Sequence, residues 1–174
     1  MLIVLGGLPG TGKTTIARAL ASRLGAFHLR IDTIEQALRN AGTLGDDIGP
    51  LGYVVAYRLA EDNLRLGNTV IADSVNPIQI TRDAWRATAE RAGAPLFEVE
   101  VICSDPAEHR RRVETRVADI DGFRLPTWAE VVSRDYEPWE GANVVMDTAG
   151  RMVDKCIAEI RYACPLLHPA DATS

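Results

Sequence analysis

The stretch best suited to chemistry is GLPGTGKT at residues 7–14. It fits the pattern G-x-x-x-x-G-K-[S/T], whose glycines let backbone N–H groups approach phosphate oxygens. The lysine of this pattern reaches the β- and γ-phosphates, and the following hydroxyl ligates Mg²⁺. The sequence therefore predicts binding of a nucleoside triphosphate with Mg²⁺. The residues expected to hold the nucleotide are Gly7, Leu8, Pro9, Gly10, Thr11, Gly12, Lys13, Thr14 and Thr15.

Two carboxylates lie where apolar runs end, Asp32 after FHLRI and Asp73 after TVIA. In an open α/β sheet, ligands gather at the carboxyl ends of the strands. Asp73 is therefore predicted to hold Mg²⁺ together with Thr14, although it could instead form the turn in ADSVNP. Asp32 is predicted to orient or deprotonate an attacking hydroxyl. It also begins DTIE, a capping-box pattern, so a purely structural role as a helix cap stays open.

Four arginines, Arg110, Arg111, Arg112 and Arg116, follow in one predicted helix. Arg112 and Arg116 are four residues apart, a spacing that places them on one helical face, and guanidinium groups can stabilise the charge of a transferring phosphoryl group. Both are predicted site residues, with Lys13 and Asp32 as the other catalytic candidates. The alternative is a solvated basic face that pairs with nearby glutamates. Arg110 and Arg111 are expected at the surface.

The elements that must position these residues alternate between strands and helices. Strands are predicted over residues 2–5, 27–31, 69–72, 96–103 and 143–146. Helices are predicted over residues 13–24, 33–41, 50–66, 78–92, 106–118, 127–136 and 151–162. Asp105 and Thr127 begin capping sequences at two of these helices. Such alternation predicts an α/β fold with a parallel sheet covered by helices on both faces. One domain over residues 1–164 and a frayed tail over 165–174 are expected.

Several classes of nucleotide-binding protein are disfavoured. Lys13 and Lys155 are the only lysines, so an N-K-x-D base-reading motif of GTPases is missing. No LSGGQ-like transporter signature occurs, and 174 residues leave little room for the helical second domain of a ring-forming ATPase. A net charge of −5 disfavours general nucleic-acid binding. Three cysteines without a CxxC pair fit a reducing cytoplasm, and we expect neither a signal peptide nor a membrane span.

Taken in order, the motifs resemble those of P-loop kinases of the nucleotide- and shikimate-kinase type. The group that includes chloramphenicol phosphotransferase, gluconate kinase, zeta toxins and polynucleotide 5′-kinase is the most similar. The resemblance spans about residues 2–162 and rests on GGLPGTGKTT, HLRID, TVIADSVNP, RRVETR and VVMDTAG. It implies ATP as the donor, a three-layer fold with a five-stranded parallel sheet in the order 2-3-1-4-5, and a mobile lid over about residues 112–136. It also implies adenine contacts from Thr148, Ala149 and Gly150, with one lid arginine on the phosphates and one over the adenine.

The resemblance further implies an acceptor-binding region over about residues 33–66, and we expect the acceptor to lie over these residues and residues 74–85. Candidate acceptor contacts are Asp32, Arg39, Tyr53, Tyr57, Arg58, Ser74 and Asn76, with Arg82 and Trp85 as further possibilities. His28 and His109 are expected to be structural or surface residues.

The sequence thus predicts an ATP- and Mg²⁺-dependent transfer of the γ-phosphoryl group to a hydroxyl of a small molecule. An antibiotic, a sugar acid, a nucleoside, a cell-wall precursor or a related metabolite all remain open as the acceptor. Two alternatives stay open: an ATP-binding or ATP-hydrolysing regulatory module without an acceptor, and a kinase of polynucleotide 5′-hydroxyls. The oligomeric state cannot be read from the sequence.

Overall fold

Five parallel strands form one sheet in the order β2-β3-β1-β4-β5, in a computed structural model that describes residues 1–42 and 48–167. The strands are β1 (Leu2–Gly6), β2 (Phe27–Arg30), β3 (Val70–Asp73), β4 (Leu96–Ile102) and β5 (Val144–Asp147). The helices are α1 (Lys13–Leu24), α2 (Ile31–Asn40), α3 (Leu51–Arg65), α4 (Gln79–Arg91), α5 (Pro106–Thr115), α6 (Trp128–Val132) and α7 (Val153–Ala163). The predicted fold class and strand order are confirmed.

Helices cover both faces of the sheet, and the central strand β1 is completely buried. Its side chains alternate between the two faces, as the period of a strand requires. Ile3 and Leu5 pack with residues of α1 and α7, and Leu2 and Val4 pack with residues of α3 and α4. Burial on both faces explains why β1 reads as a continuous apolar run.

The strand register brings the carboxyl ends of three strands to one level. Asp73 pairs with Leu5 of β1 and with Arg30 of β2. The glycine-rich loop leaves the sheet directly after β1, and α2 begins directly after β2. The sheet therefore places the phosphate-binding motif, Asp73 and the start of α2 side by side.

Element ends differ from the predictions at two places that concern the site. The alternative role of Asp32 as a helix cap is wrong, because α2 begins at Ile31 with Arg30 as its N-cap residue, so Asp32 lies in the first turn. The predicted helix over residues 106–118 is too long, because α5 ends at Thr115 and Arg116 adopts an extended backbone. Arg116 therefore does not share a helical face with Arg112.

Two predicted caps are confirmed. The Asp105 side chain accepts hydrogen bonds from the N–H groups of Ala107 and Glu108, and Thr127 and Glu130 form a complete capping box at α6. Pro165–Leu167 forms a short 3₁₀ turn at the start of the predicted tail. Residues 43–47 of the predicted acceptor region and residues 168–174 of that tail lie outside the described residues. Across the described residues, no helix is long and apolar enough to cross a membrane.

Candidate active site

The glycine-rich loop has the backbone shape that its sequence predicts. Gly7 has a φ of 142°, and a Cβ atom there would lie 2.1 Å from the carbonyl oxygen of Val101. Gly12 has a φ of 95° and is the N-cap residue of α1. Glycine is required at both positions, because a side chain would clash at the first and strain the backbone at the second. The loop thus leads directly into the positive end of α1, a feature that can receive a phosphate group.

Side chains from α5 and from the loop after β5 hold the glycine-rich loop in place. His109 Nε2 lies 2.8 Å from the carbonyl oxygen of Pro9, and the His109 ring packs edge-on against Trp128. The Thr148 hydroxyl lies 2.7 Å from the Thr11 carbonyl oxygen. The buried position of His109 agrees with the structural role expected for it.

Lys13 is buried beneath the loop, where its Nζ lies 3.5 Å from the carbonyl oxygen of Leu8. Burial lowers the pKa of Lys13, while the negative charges of Asp73 and Asp32 act in the opposite direction. The three groups that the sequence assigns to phosphate, metal and hydroxyl therefore lie within electrostatic reach of one another. A charged Lys13 in this position is available to a bound polyphosphate.

The two predicted metal ligands are in direct contact. Thr14 Oγ1 donates a hydrogen bond of 3.2 Å to Asp73 Oδ1, and Asp73 is almost fully buried. His28 Nε2 lies 3.2 Å from the other carboxylate oxygen, Oδ2. Hydroxyl and carboxylate oxygens suit Mg²⁺, which usually takes few protein ligands and completes its shell with phosphate and water oxygens. The described residues contain no cluster of three or more acidic, His or Cys side chains that could hold a metal without such help.

A cavity of about 1500 Å³ extends from the loop across α2 to the segment after α5. Asp32 lines this cavity from the first turn of α2, and its side chain is 34% exposed. Its closest charged partner is Arg30, whose Nη2 lies 3.7 Å from Asp32 Oδ2, beyond hydrogen-bond distance. Asp32 thus faces the cavity with its carboxylate oxygens open to a ligand.

Arg112 and Arg116 both line the cavity, but they differ in how much of each guanidinium group is engaged. Arg112 donates to the Thr148 hydroxyl at 2.8 Å, the Thr148 carbonyl at 3.0 Å and Glu108 at 2.6 Å. It therefore ties α5 to the loop after β5. Arg116 has two buried nitrogens, Nε and Nη2, without a hydrogen-bond partner in the described chain. Burial lowers the pKa of Arg116, while Asp32 acts in the opposite direction.

The predicted adenine-contact residues lie in this loop after β5. Thr148 lines the cavity, whereas Ala149 and Gly150 do not. The Gly150 N–H donates a hydrogen bond of 2.8 Å to Glu108 Oε2, and the other carboxylate oxygen of Glu108 accepts a hydrogen bond from Arg112. The loop is thereby fixed against α5 at one side of the phosphate-binding motif.

The predicted acceptor contacts divide into two groups. Arg39 and Tyr53 line the cavity. Tyr57 instead packs edge-on against Trp85 with ring centroids 4.6 Å apart, and Arg58 points to solvent and pairs with Glu61 at 3.2 Å. We therefore remove Tyr57 and Arg58 from the proposed acceptor contacts.

The loop after β3 also differs from expectation. Ser74 and Asn76 are buried and do not line the cavity, although their neighbours Val75 and Pro77 do. Asn76 has a φ of 51°, and its N–H donates a hydrogen bond of 3.1 Å to the Tyr53 hydroxyl. The loop therefore presents alternate residues to the cavity, and Asn76 supports Tyr53 from behind.

Arg82 and Trp85 belong to the core rather than to the acceptor site. Both side chains are fully buried on α4. The Arg82 guanidinium donates four hydrogen bonds to backbone carbonyl oxygens, which belong to Asn76, Pro77, Glu137 and Pro138.

Several polar residues that line the cavity were not predicted from the sequence. Glu35, Gln36 and Asn40 share a face of α2 with Asp32 and Arg39, and that helical spacing could have identified them. Burial raises the pKa of Glu35. Arg30 and Asp119 also line the cavity, but their pairing joins residues far apart in sequence and leaves no local pattern.

Comparison with known proteins agrees with this geometry. The chain belongs to the AAA_33 family, described as an AAA domain, which matches residues 2–131. A probable adenylyl-sulfate kinase of Aeropyrum pernix is 28% identical over 171 residues, covering 88% of this chain and 86% of the relative. The prediction of a P-loop domain of the kinase type is confirmed.

Solved structures share the fold. The APS kinase CysC of Mycobacterium tuberculosis, solved with AMPPNP and APS, has a TM-score of 0.65 and 18% identity over 93% of this chain and 95% of its own. An unliganded sugar kinase from Janibacter sp. HTCC2649 has a TM-score of 0.66 and 18% identity over 99% of this chain and 98% of its own. The same fold thus occurs in kinases whose names give different acceptors.

Proposed function

We propose that the chain is an ATP- and Mg²⁺-dependent kinase that transfers the γ-phosphoryl group to a hydroxyl of a small molecule. The observation that carries this proposal is the arrangement of three groups at one edge of the sheet. Thr14 and Asp73, the proposed metal ligands, are in contact, Lys13 lies within electrostatic reach of Asp73, and Asp32 opens into the cavity that Lys13 and Thr14 also line. Donor, metal and acceptor groups therefore face one space, as in-line transfer requires.

On the donor side, the loop N–H groups and the end of α1 would hold the β- and γ-phosphates, with Lys13 adding a positive charge. Thr14 and Asp73 would ligate Mg²⁺, which when bound neutralises charge on the phosphate oxygens. Thr148 and Arg112 would lie beside the adenine. We keep Ala149 and Gly150 as proposed adenine contacts, because they follow Thr148 in the same loop. These groups act by positioning and electrostatics, which carry most of the catalysis of phosphoryl transfer.

On the acceptor side, Asp32 would accept a hydrogen bond from the attacking hydroxyl and take up its proton as the O–P bond forms. Arg116 would place its unpaired guanidinium nitrogens on the transferring group, where negative charge is spread over the phosphoryl oxygens. Arg39 and Tyr53, with Glu35 and Gln36, would contact the rest of the acceptor. Such a polar lining suits a small molecule with several hydrogen-bonding groups.

Two substitutions test this proposal by separating binding from transfer. Lys13→Ala should abolish ATP turnover. Asp32→Asn should leave binding of AMPPNP within about twofold while lowering phosphoryl transfer by about 10²- to 10⁴-fold, the usual contribution of a general base. Transfer from radiolabelled ATP would be measured against a metabolite panel that includes antibiotics, sugar acids, nucleosides and a 5′-hydroxyl oligonucleotide.

A matched control is Asp62→Asn, which changes an exposed aspartate on α3. This variant should transfer at the wild-type rate. Wild-type ADP release that no compound in the panel accelerates would overturn the kinase proposal in favour of a regulatory module. Full transfer by Asp32→Asn would remove Asp32 from the mechanism.

A further inference from the structure

The segment between α5 and α6, residues 116–127, closes one side of the cavity and is here called the flap. Arg116, Asp119 and residues 122–126 of the flap line the cavity. Two arginines from the body of the domain hold Asp119. Arg18 of α1 donates to Asp119 Oδ2, and Arg30 Nη1 lies 2.9 Å from each of the two carboxylate oxygens. Asp119 is therefore the point at which the flap is fastened to α1 and β2.

Arg30 also reaches toward the carboxylate assigned to the acceptor hydroxyl. Its side chain is 11% exposed, and its Nη2 lies 3.7 Å from Asp32 Oδ2. Its Nε atom is buried without a hydrogen-bond partner in the described parts of the chain. One guanidinium group thus lies between two carboxylates, with full hydrogen bonds to Asp119 and an ion pair without a hydrogen bond to Asp32.

Asp119 and Asp32 compete for the guanidinium group of Arg30, and the surrounding charges explain why. Arg116 lies near both of them and near Arg30, so its positive charge discourages Arg30 from standing unpaired. A largely buried guanidinium that loses one carboxylate partner gains most by turning to the other. For Arg30 that second partner is Asp32, whose carboxylate makes no hydrogen bond among the described residues.

We propose that Arg30 is a positioning residue shared by Asp119 and Asp32, so that opening the flap transfers Arg30 to Asp32 and withdraws that carboxylate from the acceptor hydroxyl. This inference rests on the proposed role of Asp32. With the flap fastened, Asp119 neutralises Arg30 and Asp32 is free to bind the hydroxyl. With the flap released, Arg30 hydrogen-bonds Asp32, and an open site transfers slowly to any hydroxyl, water included.

Two variants separate this exchange from simple fastening. Asp119→Asn should release the flap and send Arg30 to Asp32, lowering kcat about tenfold with the KM for ATP within about twofold. The double variant Asp119→Asn/Arg30→Gln should regain kcat to within about threefold of wild type, because no guanidinium is left to occupy Asp32. Simple fastening predicts instead that the double variant is as slow as Asp119→Asn, and that result would overturn the proposal.

Arg18→Gln is the matched control, because Arg18 binds Asp119 and, among the described residues, makes no hydrogen bond or ion pair with Asp32. It should raise amide hydrogen exchange across residues 116–126 while sparing kcat more than Asp119→Asn does. Kinetics would use the acceptor found in the metabolite panel or, for a chain that accepts none, ATP hydrolysis by water.

Crystal structures with AMPPNP and Mg²⁺ give a readout that does not depend on turnover. In Asp119→Asn, Arg30 should lie within hydrogen-bond distance of Asp32, and Arg30 left in its present place or turned to solvent would overturn the proposal. Because this result does not require phosphoryl transfer, failure of the proposal on Arg30 can be told apart from failure of the proposed kinase activity.

Discussion

At the scale of single residues, Asp73 has a different partner on each carboxylate oxygen. Thr14 binds Oδ1 and His28 binds Oδ2, both at 3.2 Å. His28 comes from the neighbouring strand β2, so its contact depends on the register of β2 and β3. Groups that hydrogen-bond a metal ligand fix its orientation. The expectation that His28 is a structural or surface residue therefore needs refinement, because the structure places it behind a proposed metal ligand.

His28→Ala should weaken Mg²⁺ binding by leaving Asp73 Oδ2 unpaired. The Mg²⁺ concentration that half-saturates AMPPNP binding should rise about tenfold or more, the usual effect of losing a group behind a metal ligand. Titration calorimetry at fixed AMPPNP would measure it without turnover. His28→Gln, which keeps a hydrogen-bonding nitrogen, is the control and should recover most of the affinity. An unchanged Mg²⁺ requirement in His28→Ala would show that His28 only fills space.

At the scale of elements, the short helix α6 is stabilised chiefly by its capping box. It spans only Trp128–Val132, with Thr127 as the N-cap residue. Glu130 Oε2 accepts a hydrogen bond of 2.8 Å from the Thr127 N–H, and Glu130 Oε1 accepts one of 2.7 Å from Arg124 of the flap. These hydrogen bonds lower the pKa of Glu130 to about 2. The carboxylate thus joins the end of the flap to the start of α6.

The lowered pKa gives this contact a defined pH dependence. The folded pKa of Glu130 lies below its ordinary value of 4.5, so its stabilising effect is present above about pH 4.5 and is lost as the pH falls toward 2. Glu130→Gln should lower Tm by a few degrees at pH 6, and the difference from wild type should vanish between pH 4.5 and 2. Calorimetry across this range would test it, with Glu140→Gln, an exposed glutamate, as the control. A Tm difference that is constant with pH would contradict the assignment.

The elements themselves were largely predictable, whereas several of their ends were not. Apolar runs and helical spacing located the five strands and seven α-helices of the described residues, because most of these elements bury an apolar face. The end of α5 was missed because RRVETR continues the helical pattern, whereas the chain leaves the helix at Arg116 to begin the flap. The side chains of α3 that face the cavity could not be chosen either, since Tyr53 and Tyr57 are both at helical spacing and only the packing against Trp85 separates them.

The residues of the candidate site also divide into those that could be predicted from the sequence and those that could not. The glycine-rich loop and Asp73 were found because their chemistry requires particular residues at fixed spacing. The partners of Asp119 could not be found this way, because Arg18 and Arg30 are about 100 and 90 residues away in sequence. Ion pairs between distant segments depend on the fold and carry no local pattern.

At the scale of the whole molecule, Arg82 joins three separate parts of the chain. It lies on α4, it binds carbonyl oxygens of the loop after β3, and it binds two more at residues 137 and 138 beyond α6. The rings of Tyr136 and Trp139 pack on its guanidinium, whose Cζ atom lies 5.4 Å and 4.9 Å from their centroids. No carboxylate is paired with it in the described chain. The four carbonyl oxygens and the two aromatic rings therefore compensate together for burying this charge.

Arg82→Met should destabilise the protein strongly, because it removes all four hydrogen bonds that the buried Arg82 guanidinium donates to backbone carbonyl oxygens. We expect a loss of about 3–5 kcal/mol in the free energy of unfolding, as for other buried polar networks that lose one member. Urea unfolding followed by circular dichroism would measure it. Arg91→Met is the matched control on the same helix. The Arg91 side chain is 43% exposed and pairs with Glu61, so its loss should cost about 1 kcal/mol or less. Equal costs for the two variants would show that Arg82 is not the anchor that joins the loop after β3 to the chain beyond α6.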